Sequence, residues 1–208
     1  MSSTPRPFIH VNFAVSREGL MGTPSGESLP ISTDRDWRRV HRLRERYVAV
    51  AVGAQTWQSD QPRLTARRSR LGREPARQPD RVIFGGSHRC RIAPDVRRTF
   101  VIGSQSPEDQ AAVFIPCTDR RLEEPLASLY RHRVRSMLVE GGPTLVQSFL
   151  REGLFDCFTA FVRTDSRRGA ARAVRSVLSG LPAMDARDFG GGILLSWGDE
   201  EAARPAAS

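Results

Sequence analysis

Val139-Glu140-Gly141-Gly142-Pro143-Thr144-Leu145 is the stretch that decides how this chain is read. The apolar run Ser136–Val139 leads into it and ends in a carboxylate, Glu140. A Gly-Gly pair follows, and then an amphipathic segment, Thr144–Leu154. This is the pattern of a buried strand, a tight turn and a helix start. Glycines at such a turn let a ligand approach the backbone, because no Cβ intervenes. The first N–H groups of the helix lack partners within it and carry partial positive charge, which suits a phosphate. Pro143 fits near the first helical position, where a missing N–H costs little. The stretch points to a phosphate-bearing cofactor with an acid beside it.

Outward from that turn, strands and helices alternate. Phe8–Val15 alternates and is β-rich, with Phe8, His10, Asn12 and Ala14 on one side and Ile9, Val11, Phe13 and Val15 on the other. Ser16–Pro30 reads as a loop. Ser32 or Thr33 can cap a helix whose first turn is favoured by Asp34 and Asp36. Trp37, Val40, Leu43 and Arg44 continue it at helical spacing. Tyr47–Gly53 is a continuous apolar run, the mark of a central strand. Gln55–Leu64 starts another element. Arg81–Gly85, Thr99–Ile102 and Ala112–Ile115 are short strand candidates. Pro125–His132 reads as a helix, Phe155–Arg163 and Gly192–Trp197 as strands. The alternation predicts an α/β fold in one domain, with a largely parallel sheet and helices on its faces. The ends, Met1–Pro5 and Asp199–Ser208, read as tails.

Composition narrows the classes. A chain of 208 residues suits one domain with a sizeable core. No apolar stretch has the length of a membrane span, and Met1–Pro7 lacks the pattern of a signal peptide. Cys90, Cys117 and Cys157 are widely spaced and form no CxxC pair, so neither a zinc site nor a disulfide framework is expected. They fit reduced thiols of a cytoplasmic protein. The net charge is +9, and all 32 basic residues are arginine. Lysine chemistry is therefore excluded from the chain. The arginines are dispersed and lack interleaved aromatics, which argues against a nucleic-acid partner. The densest run, Arg67–Arg81, reads as a solvated loop.

Several segments, in order, carry a family pattern. They are Arg6-Pro7-Phe8 leading to Ala14-Val15-Ser16; Ser25-Gly26-Glu27-Ser28; Val40-His41-Arg42-Leu43-Arg44; Val52-Gly53-Ala54-Gln55-Thr56; Asp60-Gln61-Pro62-Arg63-Leu64-Thr65; and Val139–Leu145 followed by Phe149–Asp156. The chain resembles the reductase domain of riboflavin biosynthesis, which has a dihydrofolate-reductase-like fold. The His-x-Glu and Cys-x-x-Cys pattern of the deaminase half is missing from these residues. The resemblance implies an NADPH-dependent reduction of a phosphoribosylamino-pyrimidine to its ribitylamino form, by hydride transfer to C1′, in a reductase domain over 6–198. It implies cofactor contacts at Ala14, Thr56, Asp60 and the Gly141-Gly142-Pro143-Thr144-Leu145 turn. It implies substrate contacts at Ser28, Arg44, Leu64, Arg67 and Glu140, with the arginines on the ribose 5-phosphate and Glu140 as the candidate catalytic group. A homodimer is implied in the same way. His41 reads as a partly buried helix histidine.

The pattern also departs from the family. Ser16-Arg17-Glu18-Gly19-Leu20 stands where the family has Ser-Leu-Asp-Gly-Lys, and Pro30 stands where bacterial members often have tryptophan. After Asp156 the usual apolar-proline stretch is replaced by Cys157–Asp165. Two other readings follow. One is a reductase of the same fold acting on another heterocycle, such as a pterin, folate or specialised metabolite. The other is a non-catalytic nucleotide- or nucleic-acid-binding protein, which salt-sensitive DNA binding without cofactor binding would identify.

Overall fold

The computed structural model describes residues 4–21, 31–85, 92, 96–107, 111–119 and 121–199. Ser28, Pro30, Cys90 and most of both expected tails lie outside them. The elements are β1 (Phe8–Val15), α1 (Asp34–Arg46), β2 (Ala49–Gly53), α2 (Ala54–Asp60), α3 (Arg68–Leu71), β3 (Asp80–Phe84), β4 (Thr99–Gly103) and β5 (Val113–Pro116). They continue as α4 (Glu123–Arg131), β6 (Ser136–Val139), α5 (Pro143–Arg151), β7 (Cys157–Val162), α6 (Arg167–Val177), β8 (Asp185–Asp188) and β9 (Ile193–Trp197).

The nine strands of the described residues form one sheet in the order β5-β4-β3-β2-β6-β1-β7-β9-β8. The pairings from β5 to β7 are parallel, and those of β7 with β9 and β9 with β8 are antiparallel. The mostly parallel α/β layout expected from the sequence is present. Three elements were not anticipated. The run Arg67–Arg81 contains the single turn of α3, and the stretch after Arg163 contains α6 and β8. In α6, Ser166 caps the start by accepting from the Gly169 N–H at 3.0 Å, and Ala170, Ala173 and Val174 turn inward.

The period of two along each strand divides the core into two layers. Ala49 and Ala51 of β2 join Ile9, Val11, Phe13 and Val15 of β1 under α4, α5 and α6. Val50 and Val52 join Leu43 of α1, Trp57 of α2 and Leu64 on the opposite face. Asp156 anchors the start of β1: its carboxylate takes two hydrogen bonds from the Arg6 guanidinium, at 2.6 and 2.8 Å, and one from the Ile9 N–H at 2.7 Å. Two separate sequence motifs thus meet in one structural clamp.

The α1 side of β1 carries polar residues instead of a hydrophobic layer. His10 is fully buried, with Nδ1 2.8 Å from the Tyr47 hydroxyl and Nε2 2.9 Å from the Thr159 hydroxyl. Burial, reinforced by Arg39 and Arg46, pulls its pKa down to about 3. The folded state therefore holds neutral His10, whereas the unfolded chain binds a proton near the ordinary value of 6.5. Unfolding takes up that proton, so stability declines as pH falls below 6.5 and continues to decline until His10 itself titrates. We expect a slope of up to about 1.4 kcal/mol per pH unit from this residue. Urea unfolding at a series of pH values should show a shallower acid dependence in His10→Gln; an unchanged slope would contradict a neutral buried imidazole.

Candidate active site

The carboxyl ends of parallel strands are where α/β sheets bind ligands, because loops diverge there and helices begin. In this sheet β6 lies between β1 and β2. Glu140 follows β6 directly, and its N–H donates to the Ala51 carbonyl at 2.8 Å, which extends the ladder by one residue. The side chain is gripped by Arg44 from α1. Arg44 Nε donates to Oε1 at 2.9 Å and Nη2 to Oε2 at 2.6 Å, a bidentate pair. Its Nη1 donates to the Thr65 carbonyl at 3.3 Å. Both side chains are nearly buried, at 8% and 12% exposure. Burial acts against the Arg44 charge, but the Glu140 carboxylate more than offsets it and raises the arginine pKa.

The segment after α2 closes over this pair. Leu64 is buried and holds a left-handed backbone, φ 50°, that a side chain adopts at a cost of roughly 1–3 kcal/mol. The Thr65 carbonyl that meets Arg44 follows it. Next, the Arg67 N–H donates to His41 Nδ1 at 3.0 Å. His41 is only 1% exposed, more deeply buried than its sequence suggested. Burial, together with Arg44, Arg67 and Arg70, lowers its pKa to about 4, which keeps it a neutral acceptor. The Arg67 guanidinium makes no hydrogen bond among the described residues. Burial and the like charges of Arg44, Arg63 and Arg70 depress its pKa, the signature of a cationic patch that would welcome an anion.

The glycine turn is built as two unlike positions. A Cβ on Gly141 would lie 2.7 Å from Leu145 Cδ2, so the first glycine is required by packing within the turn. Gly142 has φ −67°, open to any residue, and a Cβ there would meet nothing closer than Thr56 Oγ1 at 3.6 Å. That space is free for a ligand. Gly142 is the N-cap of α5 and supplies no side-chain hydrogen bond, Pro143 follows at the helix start, and Leu145 is buried. Thr56 thus faces the turn. Asp60 lies one turn further along α2, where its carboxylate accepts from Ser59 Oγ at 2.9 Å and is exposed.

The structure brings Arg44, Glu140, Leu64 and Arg67 to one side, and Thr56 and Gly142 to another. Of the residues expected in the site, Ala14, Glu140 and Gly141 line one open cleft; Arg44, Leu64, Arg67, Thr56 and Gly142 are not among its walls. Asn12, Asp36 and Trp37 also line the cleft and were not among the residues expected there. Asn12 could have been found as a polar residue on the buried strand; Asp36 was read only as a helix-start acid. The divergent Ser16–Leu20 stretch closes as a tight loop, with the Ser16 N–H donating to the Leu20 carbonyl at 2.7 Å and Gly19 at φ 87°. Among the described residues no group of three His, Cys, Asp or Glu could hold a metal, and no helix is long and apolar enough to cross a membrane.

Comparison with known proteins fits this arrangement. The profile of the RibD C-terminal domain matches residues 7–163. The chain belongs to that family. The matched stretch runs from the start of β1 through β7 and includes the whole of the Arg44–Glu140 pair and the glycine turn. The chain is 36% identical over 171 residues to the 2,5-diamino-6-ribosylamino-4(3H)-pyrimidinone 5′-phosphate reductase of Archaeoglobus fulgidus, covering 73% of this chain and 77% of that one. It is 34% identical over 164 residues to the protein of the same name from Methanothermobacter thermautotrophicus, covering 73% and 74%. Among solved structures, a Thermotoga maritima diaminohydroxyphosphoribosylaminopyrimidine deaminase/5-amino-6-(5-phosphoribosylamino)uracil reductase superposes with a TM-score of 0.72 at 25% identity, over 92% of this chain and 56% of that one. This chain therefore spans little more than half of that protein.

A buried pair of this kind is strongly destabilised when one partner is removed, because the other charge is stranded. Arg44→Met should lose about 3–5 kcal/mol of unfolding free energy, and Arg44→Met/Glu140→Leu should recover part of it. Urea titrations of the four members of the cycle measure the coupling; purely additive losses would show that the two side chains do not depend on each other.

Proposed function

We propose that this protein is an NADPH-dependent reductase that converts an amino- or diamino-pyrimidine phosphoribosylamine to the ribitylamino phosphate. The observation that carries the proposal is the carboxylate at the end of β6, fixed by a buried arginine and set beside an open glycine turn, in a member of the RibD C-terminal domain family. The names of the Archaeoglobus and Methanothermobacter relatives support the same substrate class.

In this reading Ala14, Thr56, Asp60 and the Gly141–Leu145 turn hold the cofactor, with the start of α5 facing its phosphates. The bound dinucleotide would supply a hydride. Ring opening breaks the C1′–O4′ bond of the sugar, moves the proton of the ribosylamine N–H to O4′, which becomes a hydroxyl, and leaves a C1′=N imine. The hydride adds at that carbon and a proton at the nitrogen, so C1′ ends as the CH₂ of the ribitylamino chain. The protein contributes position and charge, not a nucleophile.

Arg44 was expected on the ribose 5-phosphate, but its guanidinium is committed to Glu140 and the Thr65 carbonyl. We therefore assign the phosphate to Arg67, with Ser28 as a hydroxyl donor and Leu64 as an apolar wall. Arg44 instead holds the Glu140 carboxylate in place, so that Glu140 can accept from a sugar hydroxyl or a pyrimidine amine. A homodimer in the cytoplasm belongs to the same proposal.

Nicotinamide fluorescence titration of the purified protein should give micromolar NADPH affinity, weaker for NADH. Gly142→Val should fold normally, since the added side chain has open space and an ordinary φ, yet bind NADPH at least tenfold more weakly. Wild-type affinity in that variant would place the cofactor elsewhere, and no binding by the wild type would refute the reductase reading.

A further inference from the structure

The segment that joins α2 to α3 is held by side chains and not by secondary structure. Residues 63–67 enter no strand or helix, except that Arg67 is the N-cap of α3, and an extended segment cannot pair its own peptide groups. Side chains from elsewhere pair them instead. Arg97 Nη2 donates to the Arg63 carbonyl at 3.0 Å, and its Nη1 to the Leu64 carbonyl at 3.4 Å. Arg44 Nη1 takes the Thr65 carbonyl. Gln78 holds both groups of Ala66: its Oε1 accepts from the N–H at 3.0 Å and its Nε2 donates to the carbonyl at 2.8 Å, as a neighbouring strand would. His41 Nδ1 accepts from the Arg67 N–H.

This lacing fixes the backbone of Arg67 on both sides. Its N–H is on His41, and its carbonyl accepts from the Arg70 and Leu71 N–H groups, at 3.0 Å each, in the turn of α3. The side chain is what remains to move. The charges of Arg44, Arg63 and Arg70 all bear on Arg67, and like charges drive a loose segment apart. A neutral anchor withstands that field. His41 stands on α1, is buried, and keeps Nδ1 as an acceptor, because burial and the charges of Arg44, Arg67 and Arg70 hold its pKa down to about 4. Gln78 is uncharged too. It is exposed and lies just before β3, so it ties the same segment to another part of the chain. A cation on an anchored backbone loses less freedom when it meets an anion than one on a mobile loop.

We propose that His41 and Gln78 are positioning residues, which hold residues 63–67 so that the Arg67 guanidinium meets the 5′-phosphate of the substrate. The inference rests on the reductase reading above and on its assignment of the phosphate to Arg67. Neither side chain touches substrate. His41 acts through the Arg67 N–H, and Gln78 through Ala66, one residue earlier. Removing either leaves the positive charge in the protein but no longer at a fixed place. The loss therefore falls on binding that depends on the phosphate, and not on the hydride transfer itself.

The test compares steady-state reduction by NADPH of 2,5-diamino-6-ribosylamino-4(3H)-pyrimidinone 5′-phosphate and of the same riboside without its phosphate. The ratio of the two kcat/KM values reads phosphate recognition alone. The wild type should favour the phosphate ester by about 10- to 100-fold, the scale of charge-assisted hydrogen bonds from one arginine. His41→Leu and Gln78→Leu should each cut that ratio by about 3- to 10-fold through a higher KM for the ester, with kcat, riboside reduction and NADPH affinity within about twofold of the wild type. His41→Asn, which offers an amide oxygen in place of Nδ1, should recover most of the ratio. In an Arg67→Ala background His41→Leu should change the ratio no further, because the two act as one unit. Equal losses on ester and riboside, an asparagine variant as impaired as the leucine, or a full additional loss without Arg67 would overturn the assignment. If His41→Leu fails to fold, the exposed Gln78 decides: an unchanged ratio in Gln78→Leu overturns it. A wild type that reduces both compounds equally well, or an Arg67→Ala variant with the wild-type ratio, overturns it too and leaves the reductase reading standing. A wild type that reduces neither compound refutes that reading, and the assignment falls with it.

Discussion

One buried ion pair organises the working edge of this protein. Arg44 and Glu140 are 96 residues apart in the chain and come from different elements, yet they share a bidentate contact out of water. Such a contact tolerates little displacement, because neither charge has another partner of equal strength nearby. It therefore fixes α1 against the end of β6. Through the Thr65 carbonyl it also fixes the segment that carries Leu64 and Arg67. The strained backbone at Leu64 is held where the arginine needs an acceptor, and His41, one turn before Arg44, takes the Arg67 N–H.

The sheet makes that pair possible by keeping its two faces chemically different. One face of β1 is hydrophobic and packs under α4, α5 and α6, as its alternation requires. The other presents His10 and Asn12 to α1, and β7 adds Thr159 opposite Asn12 in register. The resulting network satisfies its buried polar groups internally until it reaches the cleft. There Asp36 Oδ2 is buried without a hydrogen-bond partner among the described residues.

Much of this was legible beforehand, and for local reasons. The Glu-Gly-Gly-Pro-Thr stretch announces strand, turn and helix because each residue type suits one backbone position. The alternation in Phe8–Val15 already separated the two faces of β1 correctly. The helix at Asp34–Arg46 follows from its Thr33 cap, whose hydroxyl accepts from the Asp36 N–H at 3.3 Å, and from acids at its start and arginines at its end. The unanticipated α6 has the sequence RRGAARAVRSV, in which the stripe Ala170, Ala173, Val174 and Val177 stands at helical spacing but is made of small residues among arginines. Those small residues are what the close packing on the sheet uses. The exposed β8, Asp185–Asp188, carries little apolar signal, because an edge strand takes its conformation from its neighbour β9.

The sequence by itself determined the α/β class, the mostly parallel sheet, the glycine turn and the family pattern. All of these rest on interactions among residues close in the chain or on motifs preserved in order. The tertiary structure alone decided what each polar side chain does. It made Arg44 the partner of Glu140, left the Arg67 guanidinium without a hydrogen bond among the described residues, and gave His41 a backbone N–H to receive. It also buried Asp36 against Arg39, although a helix-start acid usually finds water. The physical reason is that hydrogen-bond satisfaction depends on which strands are neighbours and what a helix covers. Those distances exist only once the chain has folded.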